Sequence, residues 1–127
     1  MGDVVFAPYY EVLKNRGVKF EFFHKLENVC LSEDKSHVMA LEMSVQARPP
    51  KGKDYSPLTD VKGLPCWPSL PLYDQLANGV ALKKSGWNPE ALDDARSIAK
   101  RTLKVTEDFD FSVLAVGFGA VPTVCRE

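Results

Sequence analysis

The feature that most limits how this chain can fold is a run of prolines in its middle. Residues 48–71 contain six of the nine prolines of the chain, together with Gly52 and Gly63. Because proline lacks a backbone N–H and fixes φ, regular secondary structure is ruled out over most of this stretch. The stretch nevertheless carries large apolar side chains at Tyr55, Leu58, Val61, Leu64, Trp67 and Leu70. A flexible linker does not need such side chains, so we expect an ordered, packed loop, which is usually functional or an interface.

The residues before this stretch predict a helix followed by strands. Pro8 suits the first turn of a helix, and Gly17 suits the position just beyond its end. Alternation of apolar and polar residues with many aromatics then predicts strands, and the polar cluster at residues 32–36 predicts a turn. The predicted elements are a helix at residues 8–15, a strand at 18–24, and a β-hairpin of residues 26–31 and 38–47.

The residues after the stretch predict further helices and strands. Asn88 and Pro89 are suited to the cap and the first position of a helix, whose apolar stripe extends to about Lys100. Residues 111–116 (Phe-Ser-Val-Leu-Ala-Val) form a nearly continuous apolar run before a glycine-rich stretch, which is typical of a buried parallel strand. The remaining predictions are a short helical turn within residues 73–82 and a strand at 102–105.

These elements predict an α+β fold. A helix and a strand lead into an antiparallel β-meander made of the hairpin and residues 102–105. The chain then returns, after the proline-rich insertion, to a buried parallel-type strand. We expect residues 1–127 to be a single domain or a fragment. Its parts are the helix plus hairpin (1–48), the proline-rich ordered insertion (49–87), and a helix plus the buried terminal strand (88–127).

The predicted parallel strand lacks enough partners within the chain. Such a strand needs parallel neighbours and helices that cover the sheet. The sequence offers few of either, so we expect a segment of a longer polypeptide whose main partner is the remainder of that polypeptide. Apolar surface should then be exposed where the missing neighbours would lie, and self-association should follow.

Composition narrows the possible partners and the compartment. Sixteen basic and seventeen acidic residues give a net charge of −1, so no overall positive field attracts nucleic acid. The longest apolar runs contain Ser, Gly, Pro and Thr and fall short of the ~20 residues that a membrane span needs. Three cysteines without a Cys-x-x-Cys pair are typical of reduced thiols. We therefore expect a cytoplasmic protein with no nucleic-acid partner, no signal peptide and no transmembrane segment.

The chemically reactive residues form no complete active site in the sequence. A zinc site drawn from the cysteines and histidines has no supporting spacing, so no metal is expected; these residues are Cys30, Cys66, Cys125, His24 and His37. Cys66-Trp67 is either a substrate-facing or interface element or a rigid loop anchored by Trp67, and we favour the rigid loop. The acidic residues Glu107, Asp108 and Asp110 favour a solvated turn over a metal site. The catalytic residues stay unknown.

Three segments resemble one family of proteins. They are residues 6–26 (FAPYYEVLKNRGVKFEFFHKL), residues 55–68 (YSPLTDVKGLPCWP) and residues 107–117 (EDFDFSVLAVG). Together they resemble large bacterial FAD-dependent oxidoreductases, described as NAD(P)-binding proteins and related to the flavin amine oxidase and phytoene desaturase group. The motif Gly-Leu-Pro-Cys-Trp-Pro at residues 63–68 is the most specific part of the resemblance.

The resemblance implies a fold, a cofactor and binding residues. In that group a helix, a glycine and a strand precede a β-meander within a glutathione-reductase-like FAD fold. The residue just after the strand contacts the adenine of FAD through its backbone, and Leu26 stands at this position, where the group more often has Val. Ala115 and Gly117 follow the returning strand, where small residues let the backbone approach the cofactor. The implied function is a segment of an FAD-dependent oxidoreductase or dehydrogenase with part of a substrate region.

One departure from the family pattern limits what the segment could do alone. The Gly-x-Gly-x-x-Gly turn that binds the pyrophosphate of a dinucleotide is absent, because Pro122 stands where residues 117–122 would need a small residue. The segment is therefore expected not to retain FAD and to be inactive by itself. The alternative is a non-catalytic α+β interaction module. Its proline-rich apolar loop would dock a partner, with Tyr55 and Trp67 as anchors.

Overall fold

A computed structural model of the chain describes residues 2–91 and 93–126. In chain order the helices are α1 (Ala7–Asn15), α2 (Gly79–Lys84) and α3 (Val121–Val124). The strands are β1 (His24–Leu31), β2 (Val38–Val45), β3 (Thr59–Val61), β4 (Leu64–Cys66) and β5 (Ala99–Lys104). Short helical turns of other types occupy Gly2–Phe6, Tyr73–Gln75 and Phe118–Ala120. The α+β class with antiparallel sheets is thus confirmed.

The chain divides into two compact units. The first contains residues 2–22 and 48–88, and the second contains residues 23–47 with the described residues from 89 onward. The first unit therefore holds α1, β3, β4 and α2, and the second holds β1, β2, β5 and α3. The sequence-based division at residues 1–48, 49–87 and 88–127, with the middle part as an insertion, stays a prediction.

The second unit is built on a three-stranded antiparallel sheet in the order β1-β2-β5. The predicted hairpin and the meander are confirmed, since β2 pairs with both neighbours. Apolar residues on one face of the sheet form its core, where Val45 is fully buried and Val29 nearly so. The register between β1 and β2 shifts by one residue between Leu26 and Asn28, which makes a β-bulge at Glu27.

The turn between β1 and β2 is held by the carboxylate of Asp34. Ser32 Oγ donates to one carboxylate oxygen at 2.6 Å and Ser36 Oγ donates to the other at 2.7 Å. Ser36 N–H adds a third bond at 3.2 Å. Short polar side chains that bond to one another and to nearby backbone favour a turn, as the sequence predicted.

The helix predicted at residues 88–100 is wrong. Residues 95–98 have no helical structure and residues 99–104 form β5. The physical reason lies at Asp94, whose Oδ1 accepts the backbone N–H of Arg96 at 3.2 Å and whose Oδ2 accepts from the buried Gln46 at 2.8 Å. These bonds hold the segment beside the end of β2 and compete with helical hydrogen bonding.

The buried strand predicted at residues 111–116 is wrong for this chain as it stands. These residues have no regular secondary structure. Phe111 is 93% exposed and Val113 is 91% exposed. A strand needs a neighbour to satisfy its backbone groups, and none of the described strands pairs with this segment. The expectation of exposed apolar surface is confirmed at the same place.

The first unit contains the proline-rich stretch, most of which is irregular, as predicted. One regular element was not predicted there, the two-stranded hairpin of β3 and β4. Its loop residues Lys62 and Gly63 both have positive φ, of 55° and 84°, which is the backbone of the two-residue hairpin turns that match the strand twist. Pro57 is fully buried, whereas Val61, Leu64 and Leu70 are each more than half exposed. The ordered, packed insertion therefore stays a prediction.

The remaining predictions in the first unit are met only in part. Helix α1 is confirmed within one residue of its predicted start. The strand predicted at 18–24 is wrong over residues 18–22, which are irregular, and the sheet begins only at His24. Phe20 and Phe22 instead stack their rings with a centroid separation of 6.3 Å in an aromatic cluster. The helical turn predicted within 73–82 corresponds to Tyr73–Gln75 and the start of α2.

Candidate functional site

Leu26 lies in β1, opposite Met43 of β2. Just before it along the strand, Gln46 N–H donates to Phe23 O at 2.8 Å, which makes Phe23 and Gln46 a hydrogen-bonded pair. Hydrogen-bonded and non-hydrogen-bonded pairs alternate along antiparallel strands. The backbone groups of Lys25 therefore point toward β2, and those of Leu26 point toward the outer edge of the sheet.

The outer edge at Leu26 is the place where a backbone contact to a ligand is possible. In the three-stranded sheet, β1 pairs only with β2 and thus forms one edge. The bulge at Glu27 follows directly, and bulges are frequent where a strand re-aims its groups near a site. The geometry at Leu26 therefore suits the backbone contact that the sequence resemblance implies.

Ala115 and Gly117 lie in the exposed irregular segment that precedes α3. A Cβ built on Gly117 meets no atom within 4 Å, and its φ of −62° is open to any residue. Among residues 2–91 and 93–126, no neighbouring atom thus requires a glycine at this position. The segment returns to the sheet soon afterwards, because α3 packs on β1 and Val124 is buried. Whether Leu26, Ala115 and Gly117 bind a cofactor stays a prediction.

The first unit has an open cleft between α1 and the β3-β4 hairpin. Its volume is about 380 Å³. Its walls are mostly polar, with Glu11, Lys14, Asn15, Ser56, Thr59 and Asp60 beside Tyr10, Leu58 and Pro65. Lys14 Nζ lies 5.6 Å from the centroid of the Tyr10 ring, so the cation already covers the aromatic wall. We assign no ligand to the cleft.

An aromatic cluster packs beside this cleft in the same unit. Tyr10 is the buried centre, with ring centroids of Phe20 at 4.8 Å and Trp67 at 5.6 Å. Phe22 joins the cluster to Tyr55, whose centroid lies 5.2 Å away. Trp67 thus serves as the hydrophobic anchor of its loop, in line with the rigid-loop interpretation, and 37% of its surface stays exposed.

Tyr55 has a phenol whose pKa is raised. Its burial is the main cause that raises the pKa above 10.0, and the negative charge of Asp74 adds to it. Leu72 N–H donates to the Tyr55 oxygen at 3.0 Å, which favours the phenolate and opposes part of the rise. The neutral phenol is therefore the stable form at neutral pH, and the bond that its oxygen accepts from Leu72 helps to fix the loop.

The remaining reactive residues are the cysteines, the histidines and the acidic stretch at 107–110. All three cysteines are free thiols and half-buried, and Cys30 Sγ accepts from the Asn28 amide at 3.5 Å. Within residues 2–91 and 93–126, no group of three or more His, Cys, Asp or Glu residues is placed to hold a metal ion. The acidic stretch at 107–110 is an exposed turn, as predicted, in which Asp108 Oδ2 accepts Lys104 N–H at 2.9 Å.

One polar network was missed by the sequence reasoning. Gln46 is 3% exposed, and its Nε2 donates to Pro89 O at 3.1 Å as well as to Asp94. Lys25 Nζ donates to Asp94 O at 2.7 Å, and Arg96 Nε donates to Gln46 O at 2.9 Å. In all four of these bonds the partners lie more than forty residues apart in the chain. The only indication in the sequence is a polar residue, Gln46, at the end of an apolar strand. This indication does not predict which residues Gln46 bonds to.

Comparisons with protein-family models, with curated proteins and with solved structures found no match to this chain. Among the described residues, no helix is both long enough and apolar enough to cross a membrane.

Proposed function

We propose that this chain is a segment of an FAD-dependent oxidoreductase and contributes contacts on the adenine side of the cofactor. The observation that carries the proposal is the orientation of Leu26. Its backbone groups point to the outer edge of β1, where the resemblance to the flavin amine oxidase and phytoene desaturase group requires a backbone contact to adenine. The other residues of this role are Ala115 and Gly117.

The order of elements supports the same proposal. The chain has a helix, a glycine, an aromatic stretch and then a three-stranded antiparallel meander. A meander in this place belongs to the glutathione-reductase-like FAD fold that the resemblance implies. The apolar residues 111–116 follow the meander without a strand partner, as expected if their neighbours belong to the remainder of a longer polypeptide.

The residues present fit the adenine end of FAD and not its pyrophosphate. Leu26 offers outward backbone groups, and Gly117 leaves open space where a side chain would stand. A glycine-rich pyrophosphate turn is absent from the sequence, so this segment supplies little of the binding energy. Bound FAD would supply the electron transfer, while this chain would bind and orient its adenine. Substrate and electron acceptor are to be found by assay of the longer protein.

The test uses the product of the whole reading frame that contains this chain. We expect the purified protein to carry flavin, measured by visible absorbance and by quantifying the flavin released on denaturation. Gly117→Val should lower the retained flavin at least about tenfold if the backbone approaches the cofactor there, a loss of about 1.4 kcal/mol. Ser112→Val is the matched control, because Ser112 is exposed in the same segment.

One result would reject the flavoprotein proposal, namely a colourless product that fails to take up added FAD. A second result, in which Gly117→Val and Ser112→Val retain flavin equally well, would overturn only the role of Gly117. The second result leaves Leu26 to be tested by hydrogen exchange, since a backbone contact to adenine protects its N–H only when FAD is bound.

A second candidate function is a non-catalytic module that docks a partner through the proline-rich loop. The observation that favours it is the exposure of Leu64 and Leu70, at 65% and 64%, beside the half-exposed Trp67. Exposed apolar side chains on an ordered loop are typical of interaction surfaces. If the longer product binds no flavin but retains a stoichiometric partner that Leu64→Asp and Leu70→Asp abolish, this function replaces the first. Lys53→Asp serves as the control substitution.

A further inference from the structure

The outer edge of β5 carries backbone groups without partners. Val105 N–H donates to Met39 O at 3.0 Å. The backbone N–H and C=O groups of the odd-numbered residues of β5 therefore point toward β2, and those of the even-numbered residues point outward. At Lys104 both outward groups are used by Asp108, which accepts from Lys104 N–H and donates its own N–H to Lys104 O at 2.9 Å. In the part of the chain that the structure describes, Lys100 and Thr102 have no such partner.

The segment at residues 111–116 has the complementary deficit. It is six residues long, as β5 is, it has no charge and no proline, and its residues favour strands. Among the described residues its backbone N–H groups donate to no other group. Phe111 and Val113, which alternate along the segment, expose nearly their whole side chains. An apolar segment of this kind gains by pairing with an available strand edge.

Electrostatic attraction favours pairing of residues 111–116 with the outer edge of β5. β5 carries Lys100, Arg101 and Lys104, so two copies of β5 repel each other. The segment begins after Glu107, Asp108 and Asp110, and these acids attract the basic edge of β5. Within one chain, Lys104 Nζ lies 3.9 Å from Glu107 Oε2, which is an exposed ion pair of this kind.

We propose that two copies of this chain form a closed dimer in which residues 111–116 of each copy pair with the β5 edge of the other. The turn after β5 is closed by Thr106 N–H, which donates to Phe109 O at 2.8 Å, and residues 111–116 follow this turn without pairing with any described strand. A reciprocal exchange satisfies both edges and leaves no open end. The dimer goes beyond the flavin role and needs no cofactor.

The experiment measures the mass of the 127-residue chain in solution, without flavin, over a range of concentrations by sedimentation equilibrium. We expect a monomer-dimer equilibrium. Val113→Asp should raise the dimer dissociation constant at least about tenfold, because it places a charge within the pairing. Thr102→Pro should do the same, because it removes an outward N–H while an edge strand tolerates proline. Val80→Asp, exposed in α2, is the control and should dimerise like the unaltered chain.

Hydrogen exchange locates the interface independently of mass. The amides of Lys100 and Thr102 should gain protection as concentration rises, and this gain should be lost in Val113→Asp. A monomer at every concentration overturns the proposal, as do open-ended oligomers or a dimer that both substitutions leave intact. Because no flavin is present, failure here does not count against the flavoprotein proposal, which is tested on the longer product.

Discussion

Gln46 Nε2 donates a hydrogen bond of 2.8 Å to Asp94 Oδ2. The bond joins the buried residue just after β2 to a segment that precedes β5. This segment is irregular, although the sequence predicted a helix there. Because Gln46 is almost fully buried, its amide is costly to leave unpaired. The segment and the strand therefore depend on each other for their conformation.

Gln46→Leu should destabilise the sheet by about 1–3 kcal/mol, since Asp94 and Pro89 O each lose a donor that water replaces poorly. The readout is exchange of the Ile98 N–H, which donates to Val45 O at 2.8 Å and reports on this part of the second unit. Gln75→Leu is the matched control, because the two bonds of Gln75 with Ser56 are exposed. Equal losses in the two variants would contradict the role of the buried network.

Gly79→Ala should destabilise the first unit severely, by more than about 3 kcal/mol. A Cβ at this position would lie 1.6 Å from Tyr73 O, and that atom belongs to the backbone and cannot turn aside. The measurement is urea denaturation followed by tryptophan fluorescence, as both tryptophans lie in this unit. Gly117→Ala should be near neutral, because its Cβ meets nothing within 4 Å.

The Asp34 carboxyl should titrate with a pKa of about 2, below its usual 3.8, chiefly because Ser32 and then Ser36 donate to the carboxylate. A lowered folded-state pKa means that these bonds support the turn above pH 3.8 and cease to do so as pH falls through about 2. Carboxyl NMR measures the titration directly. Ser32→Ala combined with Ser36→Ala should return the midpoint toward 3.8, whereas Ser97→Ala should leave it where it is.

The Tyr55 phenol should ionise above pH 10.0, mainly because burial disfavours the phenolate. A raised folded-state pKa means that the contribution of Tyr55 to stability is complete below pH 10.0 and is lost as pH rises through the folded-state value. The difference in tyrosinate absorbance between the unaltered chain and Tyr55→Phe isolates this titration. If the titration step that Tyr55→Phe removes had its midpoint at or below pH 10.0, the raised pKa of Tyr55 and the burial that causes it would be contradicted.

The parts of the fold that the sequence predicted correctly depend on neighbouring residues. Helix α1 is marked by Pro8 and Gly17, and the β1-β2 hairpin by alternation and a polar turn. The helix predicted from Asn88 failed because Asp94 is bound by Gln46, 48 residues earlier, and no local pattern indicates such a partner. The β3-β4 hairpin was missed because Lys62, which adopts positive φ, is not a residue type that marks such turns.

The sequence identified the residues of the candidate site, but it did not predict how their backbones are oriented or paired. Leu26 was placed at the cofactor by resemblance, but the direction of its backbone groups depends on the pairing of Phe23 with Gln46. Residues 111–116 have the composition of a buried strand. A strand is defined by its partner as much as by its residues, so composition alone could not place this segment in a sheet.

The bulge at Glu27 has a consequence for which side chains meet in the core. Leu26 lies opposite Met43 and Val29 lies opposite Leu41, so both apolar residues share one face although they are three positions apart. In an unbroken strand, residues three apart point to opposite faces. Deleting Glu27 would force the chain to bury one of the two and expose the other. That single extra residue therefore keeps the apolar side chains of both halves of β1 on the same face of the sheet.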